Sequence, residues 1–480
     1  MKRGATCLLA TMLLVATGCG ARLTQSQRDA ALGGLVQGGA TTGNTTAGTT
    51  GSTTTGGTTG TTGTTGSTIG TTGTTGSSTG VSSGPTCTGG GATDIGVTTN
   101  QITLATVSDV SGVQPGLFRS TWQAMQAFAA YANSQGGICG RTVKNLLLDS
   151  QADSTQNRAT AVQACSQAFA QVGSMSAFDD GGASVGQQCG IPDVSAITIN
   201  APRSLASNTY PAYPQRPDFF NTSWALQIKQ RYPDAIKKSA LIYLNAGATA
   251  AVGAQRTKAL TALGYTFVYK AAAGIVEANY GPYVQAMKQK GVELINMASD
   301  YQSIVRMQKA MQQANWFPEI RLWDSVAYSP NYLLQGGTAV DTQPPGCNDV
   351  LKNVPCIAYV FLDTSLFAEA SSSPEMQLYE QWLQRVAPGA QPDYFGIYAW
   401  SAGRLFQKVA TTVGAKLTRQ AFFAAIKQIH SWNDFGMHAA HDTGSKHEAN
   451  CSLYVQIKND QFVRDFPSTG WTCTGQLMPT

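Results

Sequence analysis

From about residue 95 to residue 466, apolar positions alternate between short near-continuous runs and runs spaced at helical intervals. Gln101–Ser108 reads as a strand, and Thr121–Asn133 sets Trp122, Met125, Ala129 and Ala132 on one face of a helix. Gly136-Gly137 offers the left-handed backbone that closes a helix, and Val143–Leu148 is the next apolar strand. A helix over Thr155–Gln171 carries Val162, Cys165 and Phe169 along one stripe. Val172–Phe178 and Val194–Ile199 are two more short strands.

The rhythm then restarts. Strands are predicted at Ser239–Leu244, Tyr265–Lys270, Val292–Met297 and Glu319–Trp323, with helices at Ala254–Leu263, Gly281–Lys290 and Ser303–Ala314 between them. Alternation at this spacing predicts α/β units, parallel sheets with helices on both faces, and two successive runs predict two such units. Beyond them come a strand at Ile357–Leu362, helices at Pro374–Val386, Phe395–Val413 and Arg419–Ile429, and a terminal hairpin of Ser452–Lys458 and Gln461–Val463.

The front of the chain has no such pattern. Lys2 and Arg3 precede an uncharged run, Ala5 to Gly18, too short to span a bilayer but suited to a secretory signal over residues 1–18. It ends Ala16-Thr17-Gly18-Cys19, which resembles a bacterial lipobox. That resemblance implies lipidation of Cys19 and a membrane anchor without a spanning helix. Residues 19–94 approach a Thr-Thr-Gly repeat and hold almost no large apolar side chains. Such a segment buries too little surface to offset its ordering entropy and is predicted to be an unfolded tether. Flexible-coil scaling gives about 65 such residues a mean reach on the order of 45 Å.

Composition narrows the function. The net charge of +5 is mild and no basic run stands out, which argues against a nucleic-acid partner. Ten cysteines, less Cys7 in the signal and Cys19 at the anchor, leave an even set suited to disulfides in an exported chain. Proximity pairs Cys87 with Cys139, Cys165 with Cys189, Cys347 with Cys356, and Cys451 with Cys473. No G-x-x-x-x-G-K-[ST] loop is present, so the chain is not an ATPase of that kind. His438, His441, His447 and Cys451 have metal-like spacing but read as an exposed loop before the terminal strand, and neither a metal nor a cofactor is expected.

With these elements placed, Asn133-Ser-Gln-Gly-Gly-Ile-Cys-Gly-Arg resembles the N-x-x-G-G-x-x-G-R turn of type I periplasmic solute-binding proteins, typified by the leucine/isoleucine/valine-binding protein. Asp149-Ser-Gln-Ala-Asp-Ser, the stretch from Asn279 to Ile295, Tyr394-Phe-Gly-Ile-Tyr-Ala-Trp, and Tyr454-Val-Gln-Ile-Lys-Asn-Asp-Gln-Phe-Val are similar to that family in the same order. The resemblance implies two doubly wound lobes joined by a three-crossing hinge. Lobe 1 would hold residues 95–222 and 350–430, and lobe 2 residues 223–349 and 431–470. The stretch Asp149–Ser154 would cap the following helix.

In open α/β sheets, ligands bind beyond the carboxyl ends of the strands. The loops there offer Ser111 and Gln114 after the first strand, Asp179 and Ser184 after the third, and Asn200 and Ala201 after the fourth. The second run offers Asn245, Thr249, Asp300, Tyr301, Asp324 and Ser325. The resemblance singles out Ser184, Asn200, Ala201, Thr249, Tyr301 and Asp324 as ligand contacts. It implies a receptor that captures a small polar solute, an amino acid or related metabolite, by lobe closure and delivers it to an ABC permease, with no enzymatic activity. A sensor of the same fold feeding a signalling partner is the alternative. Asp179 and Asp180 stand where amino-acid-binding relatives place Ser or Thr hydroxyls, so either they turn away from the cleft or the ligand is not a simple amino acid. Gly182-Ala-Ser184-Val-Gly186 also fits G-x-S-x-G, which leaves a serine hydrolase using Ser184 as a remote reading.

Overall fold

The computed structural model describes Cys87, residues 90–245, residues 247–344, Cys347 and residues 356–480. The signal segment, Cys19 and nearly all of the tether lie outside the described residues. The order in this region begins before the expected boundary at residue 95. Cys87 is bonded to Cys139, the carbonyl of Gly91 accepts from Arg141 at 3.1 Å, and Asp94 accepts the backbone N–H of Arg419 at 2.7 Å.

The first run forms a four-stranded parallel sheet in the order β2-β1-β3-β4: β1 Gln101–Ser108, β2 Thr142–Asp149, β3 Ala170–Val172 and β4 Asp193–Val194. Its helices are α1 Arg119–Ser134, α2 Ser154–Gln167, α3 Asp180–Cys189 and the short α4 Ala201–Ser204. The glycine pair behaves as its sequence predicts. Gly136 and Gly137 take φ of +88° and +79°, and a Cβ on Gly137 would lie 2.1 Å from the carbonyl oxygen of Arg141. Only glycine fits a turn this tight between helix and strand. Asp153 caps α2 by accepting from Gln156 N–H at 2.9 Å. Asp149 instead pins the loop after β1, accepting from the backbone of Val110 (3.0 Å) and Ser111 (3.2 Å).

After β5 Phe219–Phe220 and α5 Ser223–Arg231, the second run builds a seven-stranded sheet in the order β12-β11-β10-β9-β8-β6-β7. Its strands are β6 Ser239–Leu244, β7 Phe267–Ala273, β8 Leu294–Ala298, β9 Ile320–Trp323, β10 Ile357–Leu362, β11 Leu453–Lys458 and β12 Gln461–Phe466. The last two are antiparallel and the rest parallel. The intervening helices include α6 Gly247–Ala262, α7 Gly281–Gln289, α8 Tyr301–Gln313 and α9 Pro330–Gly336. The expected lobe boundary at residues 349/350 is corrected here. β10 pairs with β9 from Ile357↔Ile320 to Val360↔Trp323, so it belongs to the larger sheet, and the chain crosses back only after it.

Helices α10 Pro374–Val386, α11 Tyr394–Val413 and α12 Arg419–Ile426 then return to the smaller sheet. Trp400 and Trp382 meet Phe128 and Tyr131 of α1 at ring separations of 6.3 and 5.9 Å. Residues 432–449 lead back toward β11. Three crossings result, and all four expected disulfides form. A closing strand, β13 Met478–Pro479, pairs with β5.

One expectation fails for an identifiable reason. The stripe Val162, Cys165, Phe169 is not the buried face of α2. The helix ends at Gln167, Phe169 lies beyond it, and Val162 is 53% exposed. The buried face is Asn157, Thr160, Ala161 and Ala164, packed on α3 where Gly181 and Gly182 remove the side chains between the two helices. On α1, Met125 and Ala132 are buried as expected and Ala129 packs on the core, but the buried face also takes in Ala124, Ala127 and Phe128, while Trp122 is only half-buried.

Candidate functional site

A cavity of about 170 Å³ opens between the carboxyl ends of the two parallel sheets. Gln114, Leu117 and Phe118 reach it from the loop after β1, Met175, Ala177 and Phe178 from the segment after β3, and Ile197 and Ile199 from beyond β4. The larger sheet contributes Leu244 at the end of β6, Ala248, Thr249, Val252 and Arg256 from α6, and Ile275 after β7. Ser299 to Tyr301 follow β8, and Asp324 to Val326 follow β9. Phe361 lines it from the end of β10, and Tyr394 and Phe395 from the start of the helix Tyr394–Val413. Most of these contributions sit where a strand ends and a helix begins, so the fold's own geometry gathers them.

The two sides touch. Gln114 Nε2 donates to the Ile275 carbonyl at 3.1 Å and to Asp300 Oδ2 at 3.3 Å. At the start of α6, Ala248 N–H donates to the carbonyl of Ala177 at 3.4 Å. Gly247 comes so close that a Cβ would lie 2.7 Å from that same oxygen. The two sides are therefore in direct contact beside the cavity.

Of the expected ligand contacts, Gln114, Thr249, Asp300, Tyr301, Asp324 and Ser325 line this cavity. The others do not. Ser111 is exposed and donates to Asp149. Asn245 is exposed, with its backbone N–H on Ala273. Asn200 donates its side-chain amide to Asp179 Oδ1 at 2.7 Å and to the Ala177 carbonyl, and Ala201 begins α4. Ser184 is exposed in the middle of α3, not on the sharp strand-to-helix turn that presents a nucleophile.

Asp179 turns away from the cleft. It is 1% exposed, accepts from the backbone of Ile199 and Asn200 as well as the Asn200 amide, and joins two loops. Burial pushes its carboxyl up to about 6, against the pull of Arg203 and these donors. Asp300 caps α8, accepting from Ser303 N–H at 2.9 Å and Ser303 Oγ at 2.7 Å. Arg256 is held by Asp324 Oδ1 at 2.7 Å and Asn296 Oδ1 at 2.8 Å.

The lining is mostly hydrocarbon and aromatic. That is a different surface from the polar cleft implied for an amino-acid-like solute, because its one arginine is already paired. Sequence reasoning missed Phe118, Tyr213, Phe361, Tyr394 and Phe395 in this role. Tyr394 and Phe395 lay in a stretch noted for its resemblance, but only the third dimension brings them beside β8 and β9.

The histidine-rich segment is also not the exposed loop expected of it. His438 and His441 are fully buried. His438 Nε2 meets Ser401 Oγ at 2.9 Å, and His441 Nε2 meets the Tyr398 hydroxyl at 3.0 Å. Burial holds His438 down to about 4 and His441 well below the ordinary imidazole value, so both are neutral. Among the described residues no His, Cys, Asp or Glu cluster is arranged to hold a metal, and no helix is long and apolar enough to cross a membrane.

The profile of a periplasmic binding protein family matches residues 101–461. No curated protein matches. Among solved structures, a leucine-binding protein from Thermotoga maritima is similar at 14% identity and a TM-score of 0.63, over 76% of this chain and 97% of that one. A fatty acid ABC transporter substrate-binding protein from Thermomonospora curvata is similar at 14% identity and 0.65, over 81% and 95%. A solute-binding protein of an ABC transporter from R. palustris, in complex with 4-hydroxybenzoate, is similar at 16% identity and 0.61, over 76% and 96%.

Proposed function

The chain belongs to the periplasmic binding protein family, and from that premise we propose that it is an extracytoplasmic receptor that captures a small solute between its two sheets and delivers it to an ABC importer. The observation that supports the reading is the cavity lined by strand-end loops of both sheets, with hydrogen bonds running directly from one side to the other. A solute there touches both sides at once, so it favours the closed arrangement by its differential affinity for it. The names of the similar structures, leucine-binding, fatty-acid-transporting and 4-hydroxybenzoate-bound, support small-molecule capture in general and no one solute.

The sequence before residue 95 supports the location: a signal-like segment, Cys19 for a lipid anchor, and a long threonine- and glycine-rich tether. Such a receptor would stay at the membrane while ranging on the order of 45 Å around its permease. The apolar lining moves the proposed solute away from a polar amino acid toward one with a hydrocarbon body. The test is a metabolite panel read by melting temperature and small-angle scattering. A ligand is expected to raise the melting temperature and reduce the radius of gyration together. Unchanged curves across the whole panel would sink the receptor reading.

A further inference from the structure

A smaller pocket, of about 40 Å³, borders the main cavity, and Tyr213, Gln215, Arg256, Ser325 and Phe361 wall both spaces. The chemistry changes across that wall. The large chamber is hydrocarbon, whereas the small one is faced by Asn221, Gln255, Asp363, Glu448 and Ser452. A buried space of about 150 Å³ by a comparable measure takes one benzene ring, and a single water needs about 10–15 Å³. The two chambers therefore suit one ring-sized apolar body and one small polar head.

Charge decides which head. The ionisable side chains on the two walls are Asp300, Asp324, Asp363 and Glu448 against Arg256 alone, and Arg256 is committed to Asp324. Glu448 is 8% exposed and accepts the Tyr213 hydroxyl at 2.6 Å. Asp363 is 5% exposed and accepts the hydroxyls of Tyr394 at 3.2 Å and Tyr398 at 2.8 Å. Their partners are neutral donors, and the one nitrogen base near Asp363, His441 at 3.7 Å, is itself held neutral by burial. Burial raises Glu448 to about 8, against the pull of Arg256, and Asp363 to about 6, so ionising them with no cation in contact is costly. A carboxylate ligand would add to that cost, while an ammonium would relieve it. The rings of Tyr213 and Phe361, which line both spaces, add aromatic surface that favours a cation as well.

We propose that the ligand is an apolar, ring-sized primary amine, its hydrocarbon body in the large chamber and its ammonium in the small one beside Glu448 and Asp363. The inference rests on the receptor reading, since it takes this cavity as the ligand site.

Three compounds of one shape test it by calorimetry on the full chain at pH 7: 2-phenylethylamine, 2-phenylethanol and 3-phenylpropionate. The amine is expected to bind at least tenfold more tightly than the alcohol, with no measurable heat from the acid. Glu448→Gln keeps the size and hydrogen-bonding capacity of the side chain. It is expected to weaken the amine at least tenfold and leave the alcohol unchanged. Should that variant fail to fold, the comparison of the three compounds on the natural chain still decides. Acid binding as tight as the amine, or amine binding indifferent to Glu448→Gln in a folded variant, overturns the assignment. No binding of any of the three also overturns it, and the receptor reading falls with it only if the wider panel leaves melting and scattering unchanged.

Discussion

Asp179 shows how far a residue's type can stand from its role. In sequence it is an acid at a ligand-binding position. In the fold it is an internal fastener between the loops after β3 and β4. The donors that claim it come from residues 199 and 200, and nothing in the spacing forecasts that approach. Glu448 is the converse case. It lies in a segment read as exposed loop, yet burial, moderated by Tyr213 and reinforced by Asp363, pushes its carboxyl up to about 8. A carboxyl raised in this way stabilises the fold in its protonated form. Its contribution is complete below the ordinary glutamate value and is lost as pH rises through about 8. The buried histidines act at the other end: their contribution is present above the ordinary imidazole value and lost as pH falls. Between about pH 6.5 and 8.5 the melting temperature of the unliganded chain is therefore expected to fall, and Glu448→Gln to fall less. Parallel slopes for the two proteins across a melting series would refute the assignment.

At the scale of elements, legibility follows the apolar signal. β1, β6, β10 and α10 fall where the pattern put them, because each is a dense apolar run or a stripe with a clear start. α2 was misread because its buried face is small and polar, while its apolar Val162 faces out. No glycine or proline marks its end, and the pattern runs on into Phe169. The partner signal was Gly181-Gly182, read as part of a loop. In the structure Gly182 N–H donates to Asn157 Oδ1 at 2.8 Å, and a Cβ on Gly182 would lie 2.8 Å from the Cβ of Ala161. Gly182→Val is expected to destabilise the chain by about 1–3 kcal/mol, the usual cost of overpacking, measured by urea unfolding. Replacing exposed Val162 with Thr is expected to cost within about 0.5 kcal/mol.

Across the whole molecule, the two-sheet plan was visible in the alternation of strands and helices, and the three crossings came with the family resemblance. The exact hand-over was not visible, since β10 looks the same in either sheet until its neighbour β9 is seen beside it. The site was half legible for the same reason. Loops that follow strands announce themselves, as Gln114, Asp300, Tyr301 and Asp324 did. Residues away from those loops, such as Tyr213 and Glu448 on the crossing segments and Phe361 inside β10, announce nothing locally. Those crossings are also where the small polar chamber lies, so the charged end of a solute would sit at the pivot and its apolar end nearer the mouth.

The reach of Gln114 to Ile275 and Asp300 has a consequence in time. In the proposed receptor, a clasp made by the protein with itself would set how long cargo stays, independently of how well the cargo fits. With Gln114→Ala, stopped-flow traces are expected to show a faster departure rate and a nearly constant arrival rate. A receptor tuned this way would govern the pace of hand-off by the strength of its latch.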